Sequence, residues 1–303
     1  MKVSPSTLKA VLDFTKTVQQ AARLSVQSSS WHYKSGRNNQ FKKQGLVGNG
    51  TTNQAHTVTK EEKMAKKMLI AFDFDHTIID DNSDIYVQRL APDRKIPQEI
   101  KDMYSSKCWT DYMQAIFEFL HQNHIDKDQI SACMREIQLV EGMSELFHEL
   151  SKDRYEVIII SDSNTLFIDT IVKHRDVSDV IHTVYSNPAS FDSAGCLRIQ
   201  YYHTQDWCEL STRNLCKGYI FEEHIKRRKK EGVEFDRLAF VGDGVNDLCP
   251  CLRMGKGDLA FVREGYSLGK KIDNNEGNGL LASVYKWQTG LDILRCIQKH
   301  FRK

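Results

Sequence analysis

The chain has 303 residues, of which 40% are hydrophobic and 27% are charged, so it can bury a substantial core. Its formal net charge of +2 gives no reason to expect a nucleic acid, a membrane surface or an acidic protein as its partner. No stretch approaches the roughly 18 consecutive apolar residues of a membrane span. The eight cysteines are scattered and no secretory signal opens the sequence, which predicts a cytoplasmic protein with reduced thiols.

Residues 1–66 differ in composition from the rest of the chain. They are rich in Ser, Gln, Asn and Gly, and Asp13 is the only acidic residue before Glu61. A segment of this kind has little apolar surface to bury, so we predict a disordered extension. The stretch from Thr7 to Leu24 also has the pattern of a basic amphipathic helix that directs proteins to mitochondria, and this is the alternative interpretation.

Three apolar runs rich in β-branched residues end abruptly in small or acidic residues, as buried parallel strands do. These runs are Met68–Phe72, Glu156–Ile160 and Leu238–Val241. The residues that follow them include Asp73, Ser161 and Asp243. Because ligands bind at the carboxyl ends of the strands in open parallel sheets, we expect these three side chains to meet in one crevice.

Helical patterns occupy the segments between and after the strands: Thr165–Lys173, Gly218–Lys230 and Gly290–His300. The fold class is therefore predicted as α/β, a Rossmann-like parallel sheet flanked by helices, formed by residues 67–84 and 139–303. Roughly eighty residues separate the first two strands, far more than one crossover helix needs. Helical spacing of apolar residues inside this gap predicts that residues 85–138 form a small helical cap over the crevice.

Two carboxylates, Asp73 and Asp75, stand two residues apart where the chain leaves the first strand. Phosphate-ester hydrolysis can use such a pair: one carboxylate attacks phosphorus, and the other protonates the leaving oxygen and later activates water. We therefore predict that Asp73 is the nucleophile and Asp75 the acid and base. The alternative is a turn in which both carboxylates only accept hydrogen bonds from the backbone.

The segment Gly242-Asp243-Gly244-Val245-Asn246-Asp247 repeats this pattern at another strand end. Mg²⁺ is usually held by one or two carboxylates together with substrate phosphate, so Asp243 is predicted to be a magnesium ligand. Asp247 is predicted to lie behind the ligands and support them. The alternative is a Gly-Asp-Gly turn on the surface.

A hydroxyl and an amine complete the predicted phosphate site. Ser161 can donate a hydrogen bond to a phosphate oxygen. The alternative is that this strand end only caps the helix beginning near Thr165, through Asp162 or Ser163. Lys217 can supply positive charge between the nucleophile and the phosphoryl group. A lone lysine is also commonly exposed, so neither residue identifies the site by itself.

In chain order, Asp73-x-Asp75-x-Thr77, Ser161, Lys217 and Gly242-Asp243-Gly244-x-x-Asp247 resemble the four motifs of the haloacid-dehalogenase superfamily of aspartyl-nucleophile phosphatases. Longer matches extend the resemblance to the phosphoethanolamine/phosphocholine phosphatase and pyridoxal phosphate phosphatase family. These are Phe72 to Asp84, Ile160 to Asn164, Ser186-Asn187-Pro188-Ala189 and Gly242 to Pro250. The resemblance covers the chain from about Met68 onward.

This resemblance implies a Mg²⁺-dependent phosphatase that acts on a small phosphate monoester through an aspartyl-phosphate. It implies a metal site made by Asp73, the backbone carbonyl of Asp75, and Asp243. It also implies phosphate contacts from Thr77, Ser161 and Lys217, and substrate contacts from Asp84 and Asp162. The stretches from Ile78 to Asp84 and from Ser161 to Asp169 favour the pyridoxal phosphate branch over the phosphoethanolamine/phosphocholine branch.

The sequence departs from the family between His203 and Cys208, where members carry a further His and a further Cys. A metal clip made of His203, Cys208 and Cys216 lacks a fourth donor, so we expect buried thiols here and no zinc. The basic run Lys226–Lys230 lacks interleaved aromatic residues, which predicts a solvated helix face and no nucleic-acid partner.

Two other functions fit the same motifs. A phosphotransferase or phosphomutase would pass the phosphoryl group to a second hydroxyl group where a phosphatase uses water. A non-catalytic binder of phosphorylated ligands is disfavoured, because such a binder gains nothing from two carboxylates beside an anion. The sequence predicts no oligomeric state.

Overall fold

The computed structural model describes residues 31–32, 67–104, 109–274 and 277–301. Our predictions for residues 1–66, including the helix from Thr7 to Leu24, therefore lie outside the described residues, apart from a two-residue strand, β1 (Trp31–His32). The other strands are β2 (Met68–Phe72), β3 (Tyr155–Asn164), β4 (Ile181–Asn187), β5 (Ala189–Phe191), β6 (Leu197–Ile199), β7 (Arg237–Gly242), β8 (Leu259–Arg263) and β9 (Ser283–Trp287).

Six strands form a parallel sheet in the order β4-β3-β2-β7-β8-β9, while β5 and β6 form a separate antiparallel hairpin. Strand β2 lies between β3 and β7, and its last residue, Phe72, pairs with Ile159 on one side and Val241 on the other. Alternate residues of β2 enter two different hydrophobic cores, as side chains of a strand covered on both faces must. The predicted α/β class is confirmed.

The helices are α1 (Ser83–Tyr86), α2 (Gln98–Lys101), α3 (Trp109–Gln122), α4 (Lys127–Glu136), α5 (Met143–Leu150), α6 (Thr165–His174), α7 (Lys217–Lys230), α8 (Leu248–Cys251), α9 (Ser267–Asp273) and α10 (Gly290–Phe301). Short 3-10 helices occupy Val87–Leu90, Pro92–Arg94, Ser178–Val180 and Val245–Asp247. The three helices predicted from the sequence are confirmed as α6, α7 and α10. Within the described residues, none of the helices has the length and apolar character that a bilayer crossing requires.

Strand β3 continues past its predicted end at Ile160 and stops only at Asn164. Two hydrogen bonds keep this polar segment extended, because Asn187 Nδ2 donates to the backbone carbonyls of Asp162 and Ser163 at 2.7 and 2.9 Å. The cap of α6 is Asn164, whose side chain accepts a hydrogen bond from Phe167 N at 3.0 Å. The prediction that Asp162 or Ser163 caps this helix is wrong, because both residues still belong to the strand.

The segment between β2 and β3 carries α1 to α5, of which α1 to α4 fall within or at the edge of the predicted insert, residues 85–138. Helix α1 crosses the predicted boundary after Asp84. Phe117 of α3 packs edge-on against Phe167 of α6, with ring centroids 5.7 Å apart. Arg175 at the end of α6 donates to the Ile137 carbonyl that follows α4. These contacts attach the segment to the sheet domain.

Candidate active site

The turn after β2 holds two acidic side chains through backbone hydrogen bonds. Asp73 Oδ1 accepts a hydrogen bond from Phe74 N at 2.7 Å, and Asp75 Oδ1 accepts one from Ser83 N at 2.9 Å. The Ile78 backbone N–H donates to the Phe74 carbonyl at 2.9 Å, so the chain leaves the strand in a tight turn. Both carboxylates are buried at the carboxyl edge of the central strand.

Asp247 shapes the turn after β7 in the same manner. Its Oδ2 atom accepts hydrogen bonds from the backbone N–H groups of Asp243 and Gly244, both at 2.9 Å. The carboxylate approaches the backbone so closely that a Cβ atom at position 242 would overlap Asp247 Oδ2. Glycine is therefore required at position 242 because of this close approach. Its backbone angles alone would allow other residues.

Lys217, the first residue of α7, lies fully buried between two of these carboxylates. Its Nζ atom is 2.7 Å from Asp73 Oδ2 and 2.7 Å from Asp247 Oδ1. Burial lowers the pKa of Lys217, but the carboxylates of Asp247, Asp73 and Asp162 outweigh burial and raise the pKa above its ordinary value. The lysine is thus a fixed positive charge beside Asp73.

The carboxylates outnumber the positive charge available to them. Burial, followed by repulsion from Asp73 and Asp247, raises the pKa of Asp243 to about 8, while Thr77 Oγ1 donates to Asp243 Oδ1 at 3.4 Å. Burial also raises the pKa of Asp247 to about 7. The pKa of Asp75 is raised well above its ordinary value, chiefly by burial. One lysine therefore cannot balance the negative charge that these carboxyl groups would carry if all of them were ionised.

Three carboxylate oxygens, one each from Asp73, Asp243 and Asp247, lie within 4.8 Å of one another. Hard divalent cations take oxygen ligands, so both the donor type and the uncompensated charge fit Mg²⁺. Asp247 and Asp73 each accept close hydrogen bonds on both of their oxygens, whereas the contact from Thr77 Oγ1 to Asp243 Oδ1 is a long one of 3.4 Å. The Asp243 carboxylate is therefore the most weakly held of the three. The supporting position of Asp247 stays a prediction.

Two further carboxylates border the same crevice. Asp162 Oδ2 accepts a hydrogen bond from Asn246 Nδ2 at 3.1 Å, and burial raises its pKa. Asp84 Oδ2 accepts one from Trp109 Nε1 at 2.7 Å, and burial raises its pKa to about 7. The charge of Asp84 raises the pKa of Asp75, and the charge of Asp162 raises the pKa of Lys217. The structure therefore brings both predicted substrate-binding residues close to the other residues of the crevice.

Ser161 lies inside β3, close to but not at the end of the strand, and its side chain is fully buried. Its Oγ atom accepts a hydrogen bond from Ser163 N at 3.3 Å. The hydroxyl of Ser163 in turn lies 2.8 Å from the hydroxyl of Ser83, and this hydrogen bond joins β3 to the first residue of α1. Ser161 lies two residues beyond Ile159, the partner of Phe72, and is therefore level with Asp243 along the sheet.

Two residues of the site were missed by the sequence analysis. Trp109, which binds Asp84, carries no signal beyond its place in the predicted insert. Arg263 is nearly buried at the end of β8, where it donates to the His76 carbonyl and to Asp80 Oδ1, both at 2.6 Å. A charged residue closing a buried apolar strand is the signal that could have identified it.

The cysteines differ from the predicted arrangement. His203 Nε2 accepts a hydrogen bond from Cys216 N at 2.9 Å, so this ring nitrogen is already engaged. Cys208 and Cys216 do come together, and a third thiol joins them: Cys249 Sγ lies 3.4 Å from Cys208 Sγ and 3.8 Å from Cys216 Sγ. Cys249, two residues after Asp247, was left out of the predicted clip.

A parallel sheet that brings a strand-end aspartate pair, a buried lysine and a second aspartate pair together at one edge is the arrangement expected of the haloacid-dehalogenase phosphatases that the sequence motifs resemble. Residues 68–301 match the model of the family described as Putative Phosphatase, and the chain belongs to that family. It is accordingly a phosphoric monoester hydrolase.

Two relatives mark the branches of this family. The chain is 39% identical over 236 residues to pyridoxal phosphate phosphatase of Rattus norvegicus, which covers 77% of this chain and 98% of the relative. It is 34% identical over 240 residues to phosphoethanolamine/phosphocholine phosphatase of Homo sapiens, covering 78% of this chain and 90% of the relative.

Solved structures agree with the fold. A substrate-bound phosphoserine phosphatase superposes with a TM-score of 0.51 at 19% sequence identity, covering 78% of this chain and 98% of that one. At this identity the likeness supports the fold and carries no information on the substrate.

Proposed function

We propose that this phosphatase hydrolyses small-molecule phosphate monoesters with Mg²⁺ through a phosphorylated Asp73, and that pyridoxal 5'-phosphate is its preferred substrate. The observation that carries the proposal is the 2.7 Å contact between Asp73 Oδ2 and the fully buried Lys217, beside a carboxylate group that includes Asp243. Phosphoethanolamine and phosphocholine are the second candidate substrates, since a relative named for them is 34% identical.

In the first step an Asp73 oxygen forms a bond to phosphorus as the bond from phosphorus to the leaving oxygen breaks. Asp75 gives its proton to that oxygen, so the product leaves as a neutral alcohol. The raised pKa of Asp75 favours the protonated form that this step needs. Lys217 offsets the charge that builds on the phosphoryl oxygens, because it stays protonated beside Asp73.

In the second step Asp75, now a carboxylate, takes a proton from water. The water oxygen bonds to phosphorus, the bond between phosphorus and Asp73 breaks, and phosphate leaves. Asp75 regains its proton and Asp73 its carboxylate, so the enzyme returns to its starting state.

We propose that Mg²⁺ is held by Asp73, Asp243 and the backbone carbonyl of Asp75. When bound, it would offset the repulsion between an anionic nucleophile and an anionic phosphate. The excess of carboxylates over the single lysine supports this assignment.

We assign Thr77, Ser161 and Lys217 to the phosphate, and Asp84 and Asp162 to the rest of the substrate. We also propose that residues 85–138 act as a cap that limits the site to small molecules. The hydrogen bond from Trp109 to Asp84 supports both assignments, since it joins the insert to a carboxylate of the crevice. Pyridoxal phosphate is ranked first because the relatives named for it share more identical residues with this chain.

The test is a phosphate-release assay on the purified full chain with Mg²⁺. The substrates are pyridoxal phosphate, phosphoethanolamine, phosphocholine and a panel of sugar phosphates. We expect Asp73→Asn to abolish release, whereas Asp179→Asn, at an exposed position, should match the parent enzyme. Full activity in the Asp73→Asn protein, or after exhaustive chelation, would falsify the mechanism, and preference for another ester would overturn the substrate assignment.

A phosphotransferase is separated by adding a hydroxyl acceptor, such as glycerol, to the same assay. A hydrolase releases one phosphate for each ester consumed whether or not the acceptor is present. Transfer of most phosphoryl groups to the acceptor would reassign the enzyme as a transferase.

A further inference from the structure

Three cysteines from two separate segments of the chain meet beside the phosphatase site. Cys208 lies in the segment before α7, Cys216 directly precedes α7, and Cys249 lies in α8. Their Sγ atoms all lie within 4.8 Å of one another, and the shorter separations are 3.4 and 3.8 Å. Cys216 and Cys249 are buried, while Cys208 is partly exposed.

These separations suit three thiolates around one metal ion. With zinc–sulfur bonds of about 2.3 Å, tetrahedral geometry places two sulfur ligands about 3.8 Å apart. A disulfide joins only two sulfur atoms, at about 2.0 Å, and leaves the third thiol without a role. The arrangement of all three thiols is therefore closer to a ligand set than to a disulfide.

We propose that Cys208, Cys216 and Cys249 form a thiolate site for Zn²⁺. The engaged Nε2 atom of His203 takes no part, and no other His, Cys, Asp or Glu in the described ranges joins the group. The fourth position is accordingly left to water or an external ligand, and Cys208 is the ligand that solvent can reach.

The positions of these ligands give the site a structural purpose. Cys216 is the neighbour of Lys217, and Cys249 follows Asp247 by two residues. Lys217 and Asp247 form the buried 2.7 Å ion pair of the active site. A metal bound to both cysteines holds together the two segments that supply this pair, so the zinc site supports the position of Lys217 without contacting the substrate.

The residues around the thiols are compatible with negative charge. A Cβ atom at Gly218 would overlap both Cys249 Sγ and the guanidinium of Arg253. The thiol and the guanidinium therefore both pack against Gly218, close to each other. Arg253 also pairs with Glu222 at 2.6 Å, which fixes the guanidinium in place. This positive group offsets part of the charge of three thiolates.

The test is zinc analysis of the full chain after gel filtration, with Cys249→Ala compared with Cys251→Ala. Cys251 is a matched control because it lies on the same helix, is fully buried and is outside the group of three. We expect about one zinc per chain in the parent protein and in Cys251→Ala. Loss of a residue that only hydrogen-bonds to a metal ligand typically weakens metal binding about 10- to 100-fold. Cys249→Ala removes a proposed ligand itself, so its zinc affinity should fall by at least about tenfold.

Replacing zinc with Co²⁺ gives a second readout that does not depend on activity. Thiolate ligands produce a strong charge-transfer absorption with Co²⁺ that carboxylates do not, so metal bound by Asp73 and Asp243 is not mistaken for this site. Cys208→Ala changes a partly exposed loop position and serves if Cys249→Ala does not fold. A parent protein that binds no zinc, zinc retained at full affinity in Cys249→Ala and Cys208→Ala, or a disulfide between two of these three cysteines overturns the proposal.

Discussion

Asp247 pairs with Lys217 beside Asp73: its Oδ1 atom is 2.7 Å from the lysine Nζ, and the side chains of Asp247 and Lys217 are fully buried. Its other oxygen accepts two backbone hydrogen bonds from the turn after β7. A single carboxylate therefore positions the lysine and the turn that carries Asp243.

Removing this carboxylate should cost both stability and activity. In Asp247→Ala, Lys217 loses one of its two ion pairs and two backbone donors lose their acceptor. Breaking a buried pair from one side typically costs about 3–5 kcal/mol, and we expect a loss of that size in the free energy of unfolding. Chemical denaturation measures it, with the exposed Asp179→Ala as control. Equal stability of the two variants would contradict the supporting role.

The close approach at Gly242 gives a second test. In Gly242→Ala the new methyl group overlaps Asp247 Oδ2, so the turn must shift, and overpacking of this kind typically costs about 1–3 kcal/mol. Gly255→Ala is the matched control, because its Cβ would meet only Asp258 Oδ2 at 3.8 Å. We expect thermal unfolding to separate the two variants clearly. A Gly242→Ala protein that unfolds together with the control would show that the turn accommodates a side chain.

Asp75 is tested through its leaving group. Asp75→Asn cannot donate the proton, and loss of acid catalysis typically costs about 10²- to 10⁴-fold in kcat. The loss should be large for an alkyl phosphate and small for p-nitrophenyl phosphate, whose leaving group needs no proton. Initial rates on both esters give the ratio. Equal losses on both esters would assign Asp75 a role other than proton donor in the first step.

The sequence predicted the sheet and the main polar residues for a simple physical reason. Strand-end residues of adjacent parallel strands converge at one edge, so Asp73 and Asp243 could be placed together before any coordinates were known. The predicted end of β3 at Ile160 was wrong, because apolar periodicity cannot report hydrogen bonds made by the Asn187 side chain. Ser161 is accordingly part of the strand, yet it lies two residues beyond Ile159, the partner of Phe72, and so stays level with Asp243 along the sheet.

Contacts between segments that are distant in the chain could not be predicted from the sequence. Nothing in the local pattern places Cys249 near Cys208 or Trp109 near Asp84, since those contacts depend on how loops and insert pack. The basic run at the end of α7 was predicted as a solvated face, and for Arg228 this is wrong. Its guanidinium binds the buried Glu156 on β3 at 2.8 and 2.9 Å.

Glu156 makes a pH-dependent contribution to stability. Burial raises its pKa, but hydrogen bonds from His224, Arg228 and Lys67 outweigh burial and hold the pKa well below its ordinary 4.5. A depressed folded-state pKa stabilises the protein above about pH 4.5, and this contribution is lost as pH falls. We expect Glu156→Gln to be destabilised at pH 6, by about 3–5 kcal/mol.

The difference in free energy of unfolding between the parent protein and Glu156→Gln should shrink as the pH is lowered. Each pH unit below the unfolded-state pKa removes about 1.4 kcal/mol, so at pH 3 the gap should be smaller by roughly 2 kcal/mol. Urea denaturation at several pH values measures the gap. A constant gap from pH 6 to pH 3 would mean that Glu156 does not stabilise the fold through its charge.

Trp109 links the insert to Asp84, which we propose as a substrate-binding residue, and a substitution of Trp109 tests that role. In Trp109→Phe the aromatic ring remains, but Asp84 loses the 2.7 Å hydrogen bond from Nε1. Hydrogen bonds to charged groups typically contribute about 1.5–3 kcal/mol, so the pKa of Asp84, about 7 in the parent protein, should rise further. Below that pKa Asp84 is neutral, and a substrate that needs its charge should bind more weakly.

We therefore expect the KM for the preferred ester to rise about tenfold near pH 7 while kcat changes little, and the effect to diminish as pH is raised. Trp207→Phe is the control, because Trp207 is exposed and lies in the segment that precedes α7. Steady-state kinetics between pH 6 and pH 9 on both variants provide the measurement. A change confined to kcat, or a KM effect independent of pH, would show that Trp109 acts on the chemical step or on folding and does not act through the charge of Asp84.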